Sequence, residues 1–357
     1  MTRRTLFQSL AFAPFASAPF ASAQDAPADA PALIRPRVLR PGDTVGLITP
    51  STYVTDPDRL TLAERTLRYF GLNAKWGKNV GRRAKSLRSS VSERLEDLHA
   101  MFADASVNAV FAVRGGYGSE QLLDRIDYDL IRRNPKIFVG YSDITALHIA
   151  INRYSGLVTF HGPMPLSPFT DYSQKYFRKA MFDTAPLGLI TNPPETNPLR
   201  PAHELTTIRG GRATGQLIGG NMTLISTTLG TPYEIQTRGR ILFIEDTGEE
   251  PYRIDRMLTQ LRLAGKFDSA AGLVWGECQE CGPRDFQPST ASPFTLGEII
   301  QGILGDLKIP VLGGLTFGHT ADQATIPEGV MAMLDADAQQ LTITQSATVA
   351  AGSAAAG

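Results

Sequence analysis

The 357-residue chain contains only two cysteines, too few for a disulfide scaffold. After its N-terminal segment no apolar run reaches the roughly 18 residues that would span a bilayer, so stable membrane insertion is not expected. An excess of charge of either sign is also missing, because 35 Lys and Arg residues balance 35 Asp and Glu residues. Nucleic acid is therefore not an expected partner. The chain does have 42% hydrophobic residues, enough for a large core, and a length that suits two domains.

Residues 1–23 have the features of an export signal. Arg3 and Arg4 precede a mildly apolar stretch that ends in an A-S-A cleavage pattern at residues 21–23. The arginine pair and the modest hydrophobicity resemble a twin-arginine signal, so we expect export to the periplasm. Residues 24–34 are expected to form an Ala/Pro/Asp linker, and residues 346–357 a disordered tail rich in Ala, Gly and Ser.

Between these ends, short apolar runs alternate with stretches of helical spacing, which predicts an α/β fold with mostly parallel strands. We expect an N-terminal domain over residues 35–165, a connection over residues 166–204 and a C-terminal α/β domain over residues 205–345. Ser90 and Glu93 predict a capping box at the start of the second helix. The predicted strands are 44–49, 108–113, 136–141, 157–160, 240–245, 271–276, 311–315, 331–334 and 340–344; the predicted helices are 58–70, 90–102, 119–126, 143–154, 252–264 and 295–304.

The strongest candidate for chemistry is Ser142, where an apolar strand stops at Gly140 and Tyr141 and a helix begins at once. Such a turn can lift a serine hydroxyl out of the sheet and leave the amide of Asp143 free to bind an oxyanion. The match to the G-x-S-x-G pattern is partial, because Ile144 occupies the last glycine position. The alternative is that Ser142 or Asp143 simply caps the helix.

A second strand leads into Arg114-Gly115-Gly116-Tyr117-Gly118, where adjacent glycines let backbone amides approach a ligand closely. A phosphate-binding loop is one interpretation, although the G-x-G-x-x-G spacing and the Lys-Ser/Thr pair of a P-loop are missing. A second oxyanion donor is an equally good interpretation. A tight strand-to-helix turn without a ligand is the alternative.

A serine nucleophile requires a general base and a carboxylate that orients it. Of the five histidines, His319 lies in a glycine-flanked loop directly after a strand, and His161 also follows a strand as a candidate pocket residue. Glu245 and Asp246 end an apolar strand, so their carboxylates should have partners. The order Ser142, Glu245, His319 is that of the α/β-hydrolase triad.

Cys278 and Cys281 form a C-x-x-C motif after a strand. Zinc would need further ligands that are not close in the sequence. A thioredoxin-like motif should begin a helix, whereas Gly282 and Pro283 follow here. In an oxidising compartment, a local disulfide with a structural role is the expected state.

Together these motifs resemble the serine-type LD-carboxypeptidases of the muramoyltetrapeptide class, a family that includes microcin-immunity-type peptidases. The resemblance extends from about residue 37 to residue 341, nearly the whole mature chain. It depends on Pro41-Gly42-Asp43, Arg114–Gly118, Gly140–Asp143, Gly219-Gly220-Asn221, Leu242–Asp246 and Gly318-His319.

The resemblance implies a flavodoxin-like N-terminal domain, a smaller C-terminal α/β domain and an active site between them. It implies that Ser142 is the nucleophile, His319 the general base and Glu245 its orienting carboxylate, with the amides of Asp143 and Gly116 as the oxyanion hole. The implied substrate is a peptidoglycan tetrapeptide, whose terminal D-Ala is cleaved from the L-centre of meso-diaminopimelate. The resemblance also implies a homodimer, and it implies no metal and no cofactor.

A carboxypeptidase must also hold the free C-terminal carboxylate of its substrate. Arg114 is our candidate anchor, with Gly115 and Tyr117 beside it in the binding pocket.

Two alternatives remain at this point. Some relatives hydrolyse microcin-like peptidyl nucleotides, and that activity is associated with a tryptophan in the connecting loop. Here the two tryptophans, Trp76 and Trp275, lie outside residues 166–204, which disfavours it. A non-catalytic periplasmic peptide-binding protein is the alternative from another class. A distance above about 8 Å between Ser142 and His319 would favour it, since a base must come within hydrogen-bond reach.

Overall fold

The computed structural model describes residues 31–195, 197, 199, 201–284 and 289–350. The predicted export signal lies outside these residues, as do residues 24–30 of the predicted linker and residues 351–357 of the predicted tail. Two sheets organise the described chain, the first with six strands and the second with eight. None of the described helices is both long and apolar enough to pass through a bilayer.

The first half of the chain alternates strands and helices. Its elements are β1 (Thr44–Ile48), α1 (Pro57–Tyr69), β2 (Asn73–Trp76), α2 (Leu87–Ala103), β3 (Ala109–Ala112), α3 (Tyr128–Arg133), β4 (Ile137–Gly140), α4 (Thr145–Ser155) and β5 (Thr159–His161), with short 3₁₀ helices at Ser119–Arg125 and Ser142–Ile144. The five strands are parallel in the order β2-β1-β3-β4-β5, which is the flavodoxin-like order. β3 and β4 are buried along their whole length, as expected for parallel strands that helices cover on both faces.

The chain after β5 builds the second sheet. Its elements are α5 (Asp171–Phe182), β6 (Gly188–Ile190), β7 (Thr206–Arg209), β8 (Arg212–Asn221), α6 (Met222–Thr227), β9 (Ile241–Thr247), α7 (Pro251–Leu263), β10 (Gly272–Gln279), α8 (Leu296–Leu304), β11 (Val311–Leu315), β12 (Ile326–Glu328), β13 (Met331–Asp335) and β14 (Gln340–Ile343). Strands β8, β9, β10 and β11 are parallel at the centre. The antiparallel strands β7, β13, β14 and β6 extend the two edges.

One strand of the second half belongs to the first sheet. β12 pairs antiparallel with β5, with Ile326 opposite His161, and so covers the edge that β5 would otherwise expose. The loop before β12 carries His319, and this pairing brings it to the carboxyl end of β4. The two halves are therefore joined by shared strand pairing as well as by side-chain contacts.

The structure confirms the predicted α/β architecture but corrects one helix start. α2 begins at Leu87 and is capped by Ser86, whose side chain accepts from the Ser89 amide while the Ser89 side chain accepts from the Ser86 amide. The capping box predicted at Ser90 and Glu93 is wrong, because this earlier Ser-x-x-Ser pair already caps the helix and places Ser90 inside it.

The ends of the described chain are also more ordered than expected. Residues 346–350, part of the predicted disordered tail, are held against residues 36–38, where the Val38 amide donates to the Val349 carbonyl at 2.9 Å. The predicted connection over residues 166–204 contains α5 and β6, and one face of α5 is buried. The predicted limits of the two domains stay predictions.

Candidate active site

Ser142 lies at the sharp turn between β4 and α4, in a left-handed backbone conformation with φ of +66°. That conformation is uncommon for a residue with a side chain and is typical of a nucleophile at a strand-to-helix turn. Two glycines make room for it. A Cβ at Gly140 would lie 2.7 Å from the Ile144 side chain, and one at Gly115 would lie 3.0 Å from the Ser142 Cβ.

Ser142, His319 and Glu245 form a continuous chain of hydrogen bonds. His319 Nε2 lies 2.9 Å from Ser142 Oγ, and His319 Nδ1 lies 2.8 Å from Glu245 Oε2. Glu245 is fully buried near the end of β9. Gly318, with φ of +85°, lets the His319 loop pass directly over this carboxylate, because a Cβ there would collide with Glu245 Oε2.

The surroundings of His319 act on its pKa in opposite directions. Burial alone would lower the pKa, but the charge of Glu245 and its hydrogen bond raise it above the ordinary value, with a smaller contribution from Asp246. The ring of Tyr141 meets the His319 ring edge-on, with centroids 5.0 Å apart. Burial and the charge of Glu245 raise the pKa of Asp246 to about 6. The pairing of His319 with Glu245 therefore favours the protonated ring.

Asp246 supports the site from behind through a separate set of hydrogen bonds. Its carboxylate accepts from Asn221 Nδ2 at 3.1 Å and from the amide and hydroxyl of Thr223 at 2.9 Å. The backbone amide of Asn221 in turn donates to Thr145 Oγ1 at 2.9 Å, at the start of α4. The residues 219–221 noted in the sequence thus join the Glu245 strand to the Ser142 helix.

The predicted oxyanion residues lie around the same turn. The Asp143 amide is among the first amides of a helix, which lack intrahelical partners, and its carboxylate accepts from Ser51 Oγ and from the Ser119 amide at 2.9 Å. Gly115 makes the direct contact with Ser142, whereas Gly116, with φ of +121°, packs against Thr52 in the loop after β1.

The predicted substrate-binding residues lie at the rim of this turn. Arg114 is half-buried after β3, and Tyr117 has 75% of its surface exposed. His161, in contrast, is fully buried, with its ring 5.5 Å from Phe243 and 6.1 Å from Tyr141. Burial lowers its pKa well below the ordinary value. Because no part of its side chain is accessible, His161 does not line an open pocket as the sequence had suggested.

Two further groups at the site have no sequence signal. Arg94 of α2 donates to the carbonyl oxygens of Pro50 at 2.7 Å and Gly118 at 2.8 Å, and so fixes the loops after β1 and β3. On the other side, His203 Nδ1 lies 2.7 Å from Glu277 Oε1, which also accepts from Thr316 Oγ1. These residues are far apart in sequence, and only the folded chain brings them together.

The C-x-x-C motif forms the expected local disulfide between Cys278 and Cys281, at the end of β10. Cys281 is buried in the core of the second sheet, which fits a structural role.

A serine on a strained turn, joined by a histidine to a buried carboxylate across two α/β sheets, is the arrangement of serine-type hydrolases. Family comparisons define the protein more closely. Residues 45–162 match the model of the LD-carboxypeptidase N-terminal domain, and residues 214–334 match that of the C-terminal domain. The chain belongs to the LD-carboxypeptidase family, as the sequence motifs had indicated, and is a carboxypeptidase.

Similar proteins cover nearly the whole described chain. The Bacillus subtilis (strain 168) protein named "Probable murein peptide carboxypeptidase" is 40% identical over 84% of this chain and 91% of its own length. The solved apo structure of the microcin C7 self-immunity protein MccF has a TM-score of 0.78 at 27% identity and covers 88% of this chain and 100% of that chain. The muramoyltetrapeptide carboxypeptidase from Oxalobacter formigenes has a TM-score of 0.70 at 29% identity, with 84% and 97% covered.

Proposed function

We propose that this protein is a serine-type LD-carboxypeptidase that removes the terminal D-Ala from peptidoglycan tetrapeptide stems, at the bond after meso-diaminopimelate. The observation that carries the proposal is the hydrogen-bonded chain of Ser142, His319 and Glu245. The murein peptide named for the relative at 40% identity supports the substrate class. The distance of 2.9 Å between Ser142 and His319 is that of a nucleophile and its base, which disfavours a purely binding role.

In the proposed mechanism, Ser142 Oγ attacks the carbonyl carbon of the diaminopimelate residue while His319 Nε2 takes its proton. Glu245 accepts from His319 Nδ1, so it holds the tautomer whose Nε2 is free to act as base and stabilises the imidazolium that forms. The oxyanion is bound by the Asp143 amide and by an amide of the glycine pair at 115 and 116. His319 then protonates the leaving nitrogen of D-Ala. In the second half of the reaction, water attacks the acyl-enzyme ester while His319 takes its proton. His319 returns this proton to Ser142 Oγ as the shortened peptide leaves.

Removal of a C-terminal residue requires recognition of a free carboxylate. Arg114 is the proposed anchor, because it precedes the glycine that packs on Ser142 and lies half-buried at the rim. A guanidinium can hold a carboxylate through two parallel hydrogen bonds. Tyr117 would cover the bound D-Ala from the exposed side.

The cellular part of the proposal follows from residues 1–23. Export by the twin-arginine route would place the enzyme in the periplasm, where it would trim peptidoglycan stems, and we expect a homodimer. Because the structure is similar to that of MccF, a second candidate function is the hydrolysis of microcin-like peptidyl nucleotides.

The test is mass spectrometry of a disaccharide-tetrapeptide incubated with the wild type, Ser142→Ala and Ser92→Ala, an exposed serine of α2 that serves as the matched control. Wild type and Ser92→Ala should release one alanine, Ser142→Ala should not, and a stem ending in L-Ala should stay intact. In the same assay, Arg114→Ala should raise KM about tenfold or more.

Release of alanine by Ser142→Ala would show that Ser142 is not the nucleophile. Cleavage of a peptidyl nucleotide without cleavage of the tetrapeptide would replace the proposed substrate by the second candidate. An unchanged KM in Arg114→Ala would remove the carboxylate anchor.

A further inference from the structure

A cavity of about 710 Å³ lies between the two halves of the chain, apart from the active site. It is bounded by the end of α4, through Asn152 and Arg153, and by Arg240, one residue before β9. Ser142 precedes α4 and Glu245 lies near the far end of β9, so both structural elements run from the cavity to the active site. Glu245 follows Arg240 by five positions along extended strand, a distance of about 16 Å.

The cavity lining is strongly cationic, although the whole chain has a formal charge of zero. Five basic side chains face it and one carboxylate, Asp129. The first half of the chain contributes two of the basic residues and the second half three. They are Arg132, Arg153, Arg238, Arg240 and Lys266.

Three of these guanidinium groups donate hydrogen bonds only to neutral groups among the described residues, although the buried Glu328 carboxyl also acts on the charge of Arg240. Arg132 donates to the Ser155 carbonyl at 2.8 Å, Arg153 to the Glu234 carbonyl at 3.1 Å, and Arg240 to Asn152 Oδ1 at 3.1 Å. Within residues 31–195, 201–284 and 289–350, no carboxylate forms an ion pair with any of the three. Lys266 differs, since it pairs with the Glu234 carboxylate at 3.1 Å.

Burial of these guanidinium charges lowers the stability of the folded protein unless an anion compensates for it. Arg240 is largely buried, and desolvation lowers its pKa more than the nearby Glu328 raises it, although an arginine still keeps its charge at neutral pH. Burial raises the pKa of Glu328 well above its ordinary value, so this carboxyl is a weak counter-ion for Arg240. A buried charge needs a partner of opposite sign. Guanidinium groups match the geometry of phosphate and carboxylate oxygens through paired hydrogen bonds.

We propose that this cavity is a second binding site, for a small organic anion that carries at least two phosphate or carboxylate groups. Two or more anionic groups are required because the cations approach from both halves of the chain. The volume is that of an ordinary small-molecule site. Ile149, Ile218 and Tyr154 also line the cavity and would contact the uncharged part of the ligand.

The site would be coupled to the active site through the elements that connect them. A ligand held by Arg153 and Arg240 at once would hold the end of α4 next to the start of β9. Ser142 lies just before α4, and Glu245 lies in β9. Because the ligand would bind only where the two halves meet, it would stabilise their contact by mass action.

The test is isothermal titration calorimetry of the purified protein with inorganic pyrophosphate and with tricarballylate, at about 0.15 M salt. At least one probe should bind, and the preferred probe identifies phosphate or carboxylate as the ligand group. Arg153→Gln and Arg240→Gln should each weaken binding about tenfold. Arg133→Gln, an exposed neighbour of Arg132 outside the cavity, is the matched control and should bind as the wild type does.

Anions could also bind at the active site, so Arg114→Ala provides the discriminating variant. Binding that is lost in Arg114→Ala but kept in Arg153→Gln would place the anion at the active site and overturn the proposal. Equal weakening by Arg133→Gln and Arg153→Gln would show non-specific attraction and would also overturn it. So would the absence of binding of both probes at millimolar concentration. Because Arg153 is only half-buried, its variant keeps the test decisive if Arg240→Gln fails to fold.

Discussion

At the scale of single residues, the proposed mechanism makes His319 the group whose protonation decides activity. It must be neutral at Nε2 to accept the proton of Ser142. Burial disfavours its charged form, whereas the charge and hydrogen bond of Glu245, together with the charge of Asp246, favour it, and the net result is a raised pKa. The same carboxylate that orients the ring therefore sets the pH at which the base becomes available.

The first prediction follows from the sign of that shift. In the wild type, kcat/KM should fall as the pH drops through a His319 pKa above 6.5, because the base becomes protonated. Glu245→Gln removes the negative charge, so burial then dominates and the acidic limb should move to lower pH. We also expect kcat to fall by about 10² to 10⁴, since the ring loses its orienting partner. The measurement is the pH dependence of D-Ala release by both forms.

Glu204→Gln, an exposed glutamate outside the site, is the control and should keep the wild-type profile. An acidic limb at the same pH in Glu245→Gln would contradict the assigned role.

The raised pKa of His319 also stabilises the fold. This contribution is fully present below pH 6.5 and disappears as the pH rises through the folded pKa.

At the scale of elements, the sequence predicts the strands that are apolar on both faces and that end at a glycine or a polar residue. β3, β4 and β9 are of this kind, and their ends carry Gly115, Ser142 and Glu245. This is why these three residues, two of them members of the triad, could be identified before the structure. Each lies directly at or after an apolar run, where a side chain leaves the buried layer.

Other elements have no such local signal. β8 has the sequence RATGQLIGGN, with small and polar residues, and becomes a strand because β9 and β13 pair with it on either side. β2 is a short and mostly exposed edge strand, and α3 has only six residues. Tertiary pairing decides these elements, so periodicity could not reveal them. The same holds for Thr52 and Arg94, whose contacts come from distant loops.

Arg94 carries the prediction at this scale. It is the buried cation of α2 that holds the Pro50 and Gly118 carbonyls, and desolvation lowers its pKa. Arg94→Met keeps the side-chain length but leaves the Pro50 carbonyl without its arginine donor and the Gly118 carbonyl with only the Gln121 amide, which should cost about 2 kcal/mol of stability. Activity should fall as well, because the loops after β1 and β3 surround Ser142.

Chemical denaturation and D-Ala release measure the two effects. Arg88→Met is the matched control, because Arg88 is exposed on the same helix and its loss should change stability by less than about 0.5 kcal/mol. Equal stabilities of Arg94→Met and Arg88→Met would show that the loops hold their shape without Arg94.

At the scale of the whole molecule, the active site exists only when the two sheets are together. Ser142 comes from the first sheet, while Glu245 and His319 come from the chain of the second. β12 crosses back to pair with β5, and Arg240 donates to Asn152 across the same boundary. Because backbone pairing, a partly buried hydrogen bond and the triad all cross this boundary, the halves should not unfold one at a time.

The chain offers a direct measurement of this cooperativity, since one of its two tryptophans lies in each sheet. Trp76 lies in β2 and Trp275 in β10, both at least partly buried. Trp76→Phe leaves a reporter in the second sheet, and Trp275→Phe leaves one in the first. In each variant, the midpoint of urea unfolding by tryptophan fluorescence should coincide with the midpoint by far-ultraviolet circular dichroism, as for a single cooperative transition. A fluorescence midpoint that precedes the dichroism midpoint in one variant would show that its reporter sheet unfolds by itself. The contacts between the halves would then be too weak to hold the triad geometry independently of substrate.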